Sequence, residues 1–149
     1  MPYRWLRRVA LLGLVVASSC VDNKLTTPGG QLQTAWAKWS LSAPVAYQMT
    51  IQKTCFCSPA VTRAIVVVFR NHAIESAKYA DNGADASAAG ALNIDGVFST
   101  INDALGRNAA TISASYDPVL GYPLSVFIDY NAATADDELT ITISNFQVL

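Results

Sequence analysis

Two cysteines separated by one residue are the side chains with the clearest potential chemistry. Cys55 and Cys57 flank Phe56 in a chain of 149 residues that contains three cysteines. In an extended strand, residues i and i+2 share a face, with Cα atoms near the upper limit for a disulfide, so bond closure needs a local kink. The pair could be a structural disulfide, a redox-active pair, free thiols, metal ligands or intermolecular links. Zinc wants about four ligands and His72 is the only histidine, so we predict no metal site.

Carboxylates form a second candidate group, because they are densest towards the end of the sequence. They could supply general acid–base catalysis or bind calcium, but a solvated loop that protects a strand edge explains them more simply. The sequence has no EF-hand spacing, Gly-x-Ser-x-Gly, phosphate loop or dinucleotide fingerprint. We therefore predict a non-enzymatic protein without catalytic residues or cofactors. The carboxylates are Asp117, Asp129, Asp136, Asp137 and Glu138.

The segment from Tyr116 to Pro123 connects two predicted strands and combines aromatic residues with prolines. Asp-Pro favours a type I turn and Gly121 can adopt positive φ, so a rigid hairpin is one interpretation. Aromatic residues are enriched in interfaces, so a recognition surface is the other. The candidate interaction residues are Tyr116, Asp117, Tyr122 and Phe127.

Hydrophobic periodicity predicts the elements that position these residues. Gln31–Ser40 has a helical apolar stripe of Leu32, Ala35, Trp36 and Trp39, which we expect in the core. A second helix follows Asn93 as N-cap and stops at Gly106. Strand patterns cover 45–52, 61–70, 74–79, 110–116, 124–130 and 139–148, with a turn at 70–73, a loop at 80–92 and a bulge near Ser144-Asn145 that restores a common face for Phe146 and Val148.

The order of these elements predicts an α+β fold. We expect a two-layer sandwich in which one antiparallel sheet carries two helices on one face, with Ser, Thr and Gln on the other face. The domain should span 31–149, which is the size of one compact domain.

The beginning of the sequence resembles a bacterial lipoprotein signal. Three arginines precede the apolar stretch 9–17, which is too short to span a bilayer, and small residues lead into Cys20. The resemblance implies that 1–19 is a signal peptide, that Cys20 is acylated, and that 20–30 is a flexible linker. An ordinary secretory signal with Cys20 unmodified is the alternative.

A lipoprotein signal implies that the protein is located in a bacterial cell envelope. Its expected partners are the membrane, through the N-terminal lipid, and an envelope protein. Val21 after the cysteine is not an aspartate-type retention signal, which favours the outer membrane if there are two. The envelope is oxidising, so a Cys55–Cys57 disulfide becomes the default expectation, with a thiol–disulfide redox protein as the alternative function. The net charge of −1 argues against nucleic acid as a partner.

The chain also resembles a family of small bacterial lipoproteins and secreted proteins of unknown function. The resemblance implies a lipoprotein address and transfers no activity. At Arg70-Asn71-His72 the chain departs from the family pattern, which more often has a glycine. The matching features are a helix Trp (Trp36 or Trp39), Tyr47, Cys55-Phe56-Cys57, the valine-rich strand 65–68, Ile94-Asp95 and Phe98, Tyr116-Asp117, Gly121-Tyr122-Pro123, Asp129 and Asp136-Asp137-Glu138.

Overall fold

The computed structural model describes residues 26–86 and 90–149, so the predicted signal peptide and Cys20 lie outside the described residues. None of the helices in these two ranges is long and apolar enough to cross a membrane. The helices are α1 (Pro28–Ser42), α2 (Pro59–Thr62) and α3 (Ile94–Gly106). The strands are β1 (Ala46–Thr54), β2 (Ile65–Arg70), β3 (Ala73–Tyr79), β4 (Thr111–Tyr116), β5 (Pro123–Asp129) and β6 (Glu138–Val148).

The six strands form one sheet in the order β3-β2-β1-β6-β5-β4, and every neighbouring pair is antiparallel. The predicted α+β class with a single antiparallel sheet is confirmed. The first three strands occupy one side of the sheet and the last three occupy the other. β1 and β6 meet at the centre, although they lie far apart in the sequence.

Both long helices begin at side-chain caps. The Thr27 hydroxyl accepts a hydrogen bond from the Gly30 amide at 3.2 Å, and Pro28 occupies the first turn, so α1 starts three residues before the predicted boundary. The predicted N-cap of α3 is confirmed, because the Asn93 side chain accepts from the Gly96 amide at 2.8 Å. These caps supply partners for amide groups that have none within the helix.

The segment around β2 differs from the sequence prediction at its start. Pro59 opens the single helical turn α2, since its fixed φ suits a first helical position, and β2 begins only at Ile65 rather than at Val61. The predicted tight turn after β2 is confirmed. Asn71 and His72 have φ of 52° and 64°, which is the left-handed geometry of a two-residue hairpin turn without glycine.

One face of the sheet carries the buried side chains. Tyr47, Met49 and Ile51 of β1 are fully buried, as the alternating pattern predicts. They lie directly opposite buried residues of β2, so the apolar rows continue across the strands, and the buried residues of α1 and α3 belong to the same cluster. The opposite face is polar, with Gln52, Thr142 and Ser125 in adjacent register on three strands.

The predicted bulge in β6 is also observed. Asn145 has a φ of 52°, and β6 has one more residue than β1 between two paired positions. The extra residue turns Phe146 towards the core, where its ring stacks on Tyr122 and Tyr47 at centroid distances of 4.3 and 5.3 Å. Val148 pairs with Tyr47 and therefore lies on the same face of the sheet, as predicted, but near the end of β6 it remains 63% exposed.

Candidate functional site

A groove of about 530 Å³ lies between α1 and α3 and is the best candidate for a binding site. Its volume falls within the range of small-ligand sites, which are concave, mostly apolar and supplied with a few polar groups. Both helices contribute side chains at helical spacing, so each presents one face to the groove. The lining consists of Leu32, Gln33 and Trp36 from α1, and Phe98, Ser99, Asn102 and Asp103 from α3.

Trp36 is the aromatic wall of this groove. Its side chain is 42% exposed, whereas Trp39, one helical turn further, is 4% exposed. The Trp36 and Phe98 rings meet edge to face, with centroids 4.9 Å apart and planes at 77°, so the core aromatic supports the exposed indole. The prediction that both tryptophans are core residues is therefore confirmed for Trp39 and wrong for Trp36.

Trp39 fixes the two helices relative to each other. Its indole Nε1 donates a 3.0 Å hydrogen bond to Asp95 Oδ1 in the first turn of α3. The ring also contacts Tyr47, Tyr122 and Phe146 edge to face at 5.7–6.3 Å. Because this contact joins residues 56 positions apart in the sequence, it holds the groove walls at a distance that local patterns do not specify.

The rim of the groove is polar, and the described residues that line it carry no unpaired charge. Asp103 forms an ion pair with Arg107 at 3.4 Å, one turn along α3. The Ser99 hydroxyl donates to the Asp95 backbone carbonyl at 2.9 Å. The amides of Gln33 and Asn102 are exposed and have no hydrogen-bond partner within 26–86 and 90–149. The hydrophobic pattern alone does not identify these residues as part of a site, although polar groups that flank an apolar helix stripe are a signal for one.

The four predicted interaction residues do not form one surface. Tyr122 is 9% exposed, and its ring stacks on the Phe146 ring at a centroid distance of 4.3 Å. Phe127 lies between Ser113 and Thr140 on the polar face of the sheet. Tyr116 and Asp117 line a smaller hollow of about 290 Å³ beside α1.

The loop carrying Asp117 is a rigid hairpin connection. Asp117 Oδ1 accepts hydrogen bonds from the amides of Val119 and Leu120 at 2.9 and 2.6 Å, and its own amide donates to the Tyr122 carbonyl at 2.8 Å. These bonds satisfy the loop backbone in the manner of an Asx turn. Beside it, burial raises the pKa of Tyr116 to about 12. Because the Asp117 carboxylate binds two amides of its own loop, its role is to stabilise the loop.

Cys55 and Cys57 are brought together at the end of β1. Their sulfur atoms lie 2.06 Å apart, at disulfide distance, with Cα atoms separated by 5.2 Å. The kink required for closure is present, because the Cys57 amide donates to the Cys55 carbonyl at 2.8 Å in a three-residue turn. Phe56 projects from this turn and is 83% exposed. On the adjoining strand, burial lowers the pKa of Lys53.

The acidic residues near β6 do not assemble a recognisable metal site. One carboxylate oxygen each of Asp129 and Asp137 is buried without a hydrogen-bond partner among the described residues. Within those same residues, no three His, Cys, Asp or Glu side chains are grouped so that they could hold a metal ion. His72 is exposed in the β2–β3 turn.

Fold and site together define a small α+β domain with a groove between two helices. A family model matches residues 31–148, and the chain belongs to that family, which is described as a Family of unknown function (DUF6174). Comparison with curated proteins and with solved structures finds no match. The match supports the expected membership of an uncharacterised family and covers both walls of the groove.

Proposed function

We propose that this protein is a lipid-anchored, non-enzymatic binding module of the bacterial cell envelope, and that the α1–α3 groove is its binding site. The observation that carries the proposal is the half-exposed indole of Trp36, held over Phe98 at the mouth of a concave, mostly apolar groove. An exposed aromatic side chain that forms one wall of a hollow is typical of a recognition site.

The proposed anchor follows from the sequence before the described residues. Arginines, a short apolar stretch and small residues before Cys20 have the form of a lipoprotein signal. Acylation at Cys20 would hold the domain at the membrane by a linker of about seven residues before α1, with the outer membrane favoured where two are present. In this proposal both long helices cover one face of the sheet, giving a two-layer sandwich whose polar face is open to solvent.

Binding explains the groove better than catalysis does. Among the described lining residues, Ser99 supplies the hydroxyl, and it donates to a backbone carbonyl rather than to a general base. Its one carboxylate, Asp103, is paired with Arg107. A catalytic site needs a nucleophile or an acid–base pair within hydrogen-bonding reach, and the described residues of the groove lining do not provide one.

Two measurements test the two parts of this proposal. The intact mass of the protein extracted from its native cells should equal that of the chain from Cys20 onwards plus acyl groups. A mass that retains Met1 would refute the anchor.

For the groove, a photo-crosslinking amino acid is placed at Ser99, an exposed lining residue, in the full chain, in its own cells. The matched control carries it at Ser113 on the polar face of the sheet. We expect an adduct from Ser99 that disappears when Trp36→Ala is added, and no such adduct from Ser113. Absence of an adduct at Ser99, or equal adducts at both positions, would show that the groove is not the binding site.

A second candidate function is thiol–disulfide exchange by Cys55 and Cys57, and the exposure of their turn favours it. In that reaction a substrate dithiol would be oxidised to a disulfide while the Cys55–Cys57 bond is reduced to two thiols. A refolding assay with a reduced, disulfide-containing substrate tests it. Equal refolding rates for the unmodified protein and for Cys55→Ser would end this alternative.

A further inference from the structure

We propose that the ligand of the α1–α3 groove is a neutral sugar, with one pyranose ring stacked on Trp36 and its hydroxyls bound by Gln33 and Asn102. This inference rests on the proposed function and adds the chemical class of the ligand. It follows from the combination of a flat apolar wall with uncharged polar groups on both sides.

The apolar part of the groove matches one face of a pyranose. Leu32 and Phe98 are buried at its base, and Trp36 stands beside them half exposed. The C–H groups of one sugar face are weakly polarised, and the negative face of an indole attracts them. The edge-to-face contact with Phe98 limits movement of the indole, so less conformational entropy is lost when a ring stacks on it.

The polar part matches the hydroxyl edge of the same ring. Gln33 lies three residues before Trp36 on α1, and Asn102 lies four residues after Phe98 on α3, so both amides flank the apolar wall. Each amide offers donors and an acceptor, and each hydroxyl can donate and accept. Both side chains are exposed, and within the described parts of the chain neither amide has a hydrogen-bond partner, so each can pair with a ligand hydroxyl.

The charge balance of the groove favours a neutral ligand. Among the described residues that line the groove, Asp103 is the charged one, and Arg107 pairs with it. An anionic ligand would face this carboxylate, and a cation would compete with the existing ion pair. A purely apolar ligand such as an acyl chain would cover the amides of Gln33 and Asn102 without giving them hydrogen-bond partners, which is unfavourable.

The test uses the mature lipidated protein in detergent, with two neutral probes that separate the sugar sources. Tri-N-acetylchitotriose represents N-acetylglucosamine polymers and maltotriose represents glucose polymers. Binding is followed by tryptophan fluorescence and by saturation-transfer NMR, which reports which sugar protons contact the protein. We expect at least one probe to bind and to shift the fluorescence, with its ring C–H protons receiving the strongest saturation.

Variants connect this binding to the groove. Trp36→Ala should weaken binding at least tenfold, Trp36→Phe should weaken it less, and Asn102→Leu should weaken it about tenfold by removing hydrogen bonds while the indole remains. Phe127→Ala, an aromatic change on the polar sheet face, is the matched control and should leave affinity unchanged. Circular dichroism checks that each variant is folded. Affinity unchanged in both Trp36→Ala and Asn102→Leu would overturn the proposal.

Failure of this inference can be told apart from failure of the groove as a binding site. If neither sugar binds at millimolar concentration while the Ser99 crosslinker still forms its Trp36-dependent adduct in cells, the sugar assignment is wrong and the groove remains the site. If the adduct is a polypeptide, the ligand is a peptide segment rather than a sugar. If both experiments are negative, both proposals fall.

Discussion

Gly121 should be one of the least replaceable residues in the domain, because two independent effects act there. Its φ is +83°, a conformation that costs an L-residue about 1–2 kcal/mol. A Cβ at this position would also lie 2.5 Å from the Ala35 carbonyl oxygen and 2.7 Å from Lys38 Cβ, so α1 or the β4–β5 loop would have to move. Forced repacking of this kind costs about 1–3 kcal/mol. We expect Gly121→Ala to lower the free energy of unfolding by about 2–5 kcal/mol.

Gly83 is a matched control for this substitution. It also has a positive φ, +71°, but an added Cβ there would meet nothing within 4 Å. Gly83→Ala should therefore show the conformational cost alone, about 1 kcal/mol. The difference in free energy of unfolding between the two variants measures the cost of separating α1 from the β4–β5 loop. The same two elements are joined by a 3.1 Å hydrogen bond from Lys38 Nζ to the Pro118 carbonyl.

Urea unfolding followed by circular dichroism measures both variants. With a slope of about 2 kcal/mol per M, the midpoint should fall by about 1–2.5 M for Gly121→Ala and by about 0.5 M for Gly83→Ala. Equal shifts would refute the reasoning, because they would show that the packing of α1 on the loop contributes nothing beyond backbone conformation.

Three further predictions concern tyrosines. Tyr47→Phe removes the hydroxyl that accepts the buried Ile94 amide at 3.1 Å, and should lower the free energy of unfolding by about 1–3 kcal/mol in urea titrations; an unchanged midpoint would contradict this assignment. Burial raises the pKa of Tyr47 and of Tyr116 to about 12, whereas unfolded tyrosine titrates near 10. The folded state therefore binds more protons than the unfolded state between pH 10 and 12. The free energy of unfolding should be constant below pH 10 and fall as the pH rises towards 12, less steeply in Tyr116→Phe. Urea midpoints that stayed level from pH 8 to 11.5 would disprove this. Tyr122→Ala should lower the free energy of unfolding by about 3–5 kcal/mol, because it truncates a core side chain, and Phe127→Ala should lower it by about 1 kcal/mol or less. A lower thermal midpoint for Phe127→Ala than for Tyr122→Ala would contradict the burial of Tyr122.

Periodicity predicted most of the elements because each strand and helix buries one face. The alternation of Tyr47, Met49 and Ile51, the Asn93 cap and the bulge at Asn145 are local patterns with local physical causes. The sequence pattern places the start of β2 too early, because the β-branched residues that follow favour a strand from Val61. Pro59 instead favours a helical turn, and this turn takes up the start of the predicted strand.

The groove could not be predicted in the same way. The apolar stripe of α1 includes both Trp36 and Trp39, and periodicity assigns both to the buried face. Which of them is covered depends on where α3 lies, and a hydrogen bond between Trp39 and Asp95, far apart in the sequence, sets that position. The separation of Tyr122 from Phe127 likewise depends on the register of β5 against its neighbours.

The seam between β1 and β6 has a consequence for how the chain assembles. Thr54 pairs with Thr140 and Tyr47 with Val148, so the central ladder closes a loop of about 90 residues, whereas the three-stranded meanders on either side form from nearby segments. Contacts of long sequence separation are the slow ones, because loop closure comes before any stabilising contact. We expect the two meanders to form early and their joining to limit the folding rate. Until then each half exposes an unpaired strand edge that can template aggregation, which would make chaperone protection most valuable before the seam closes.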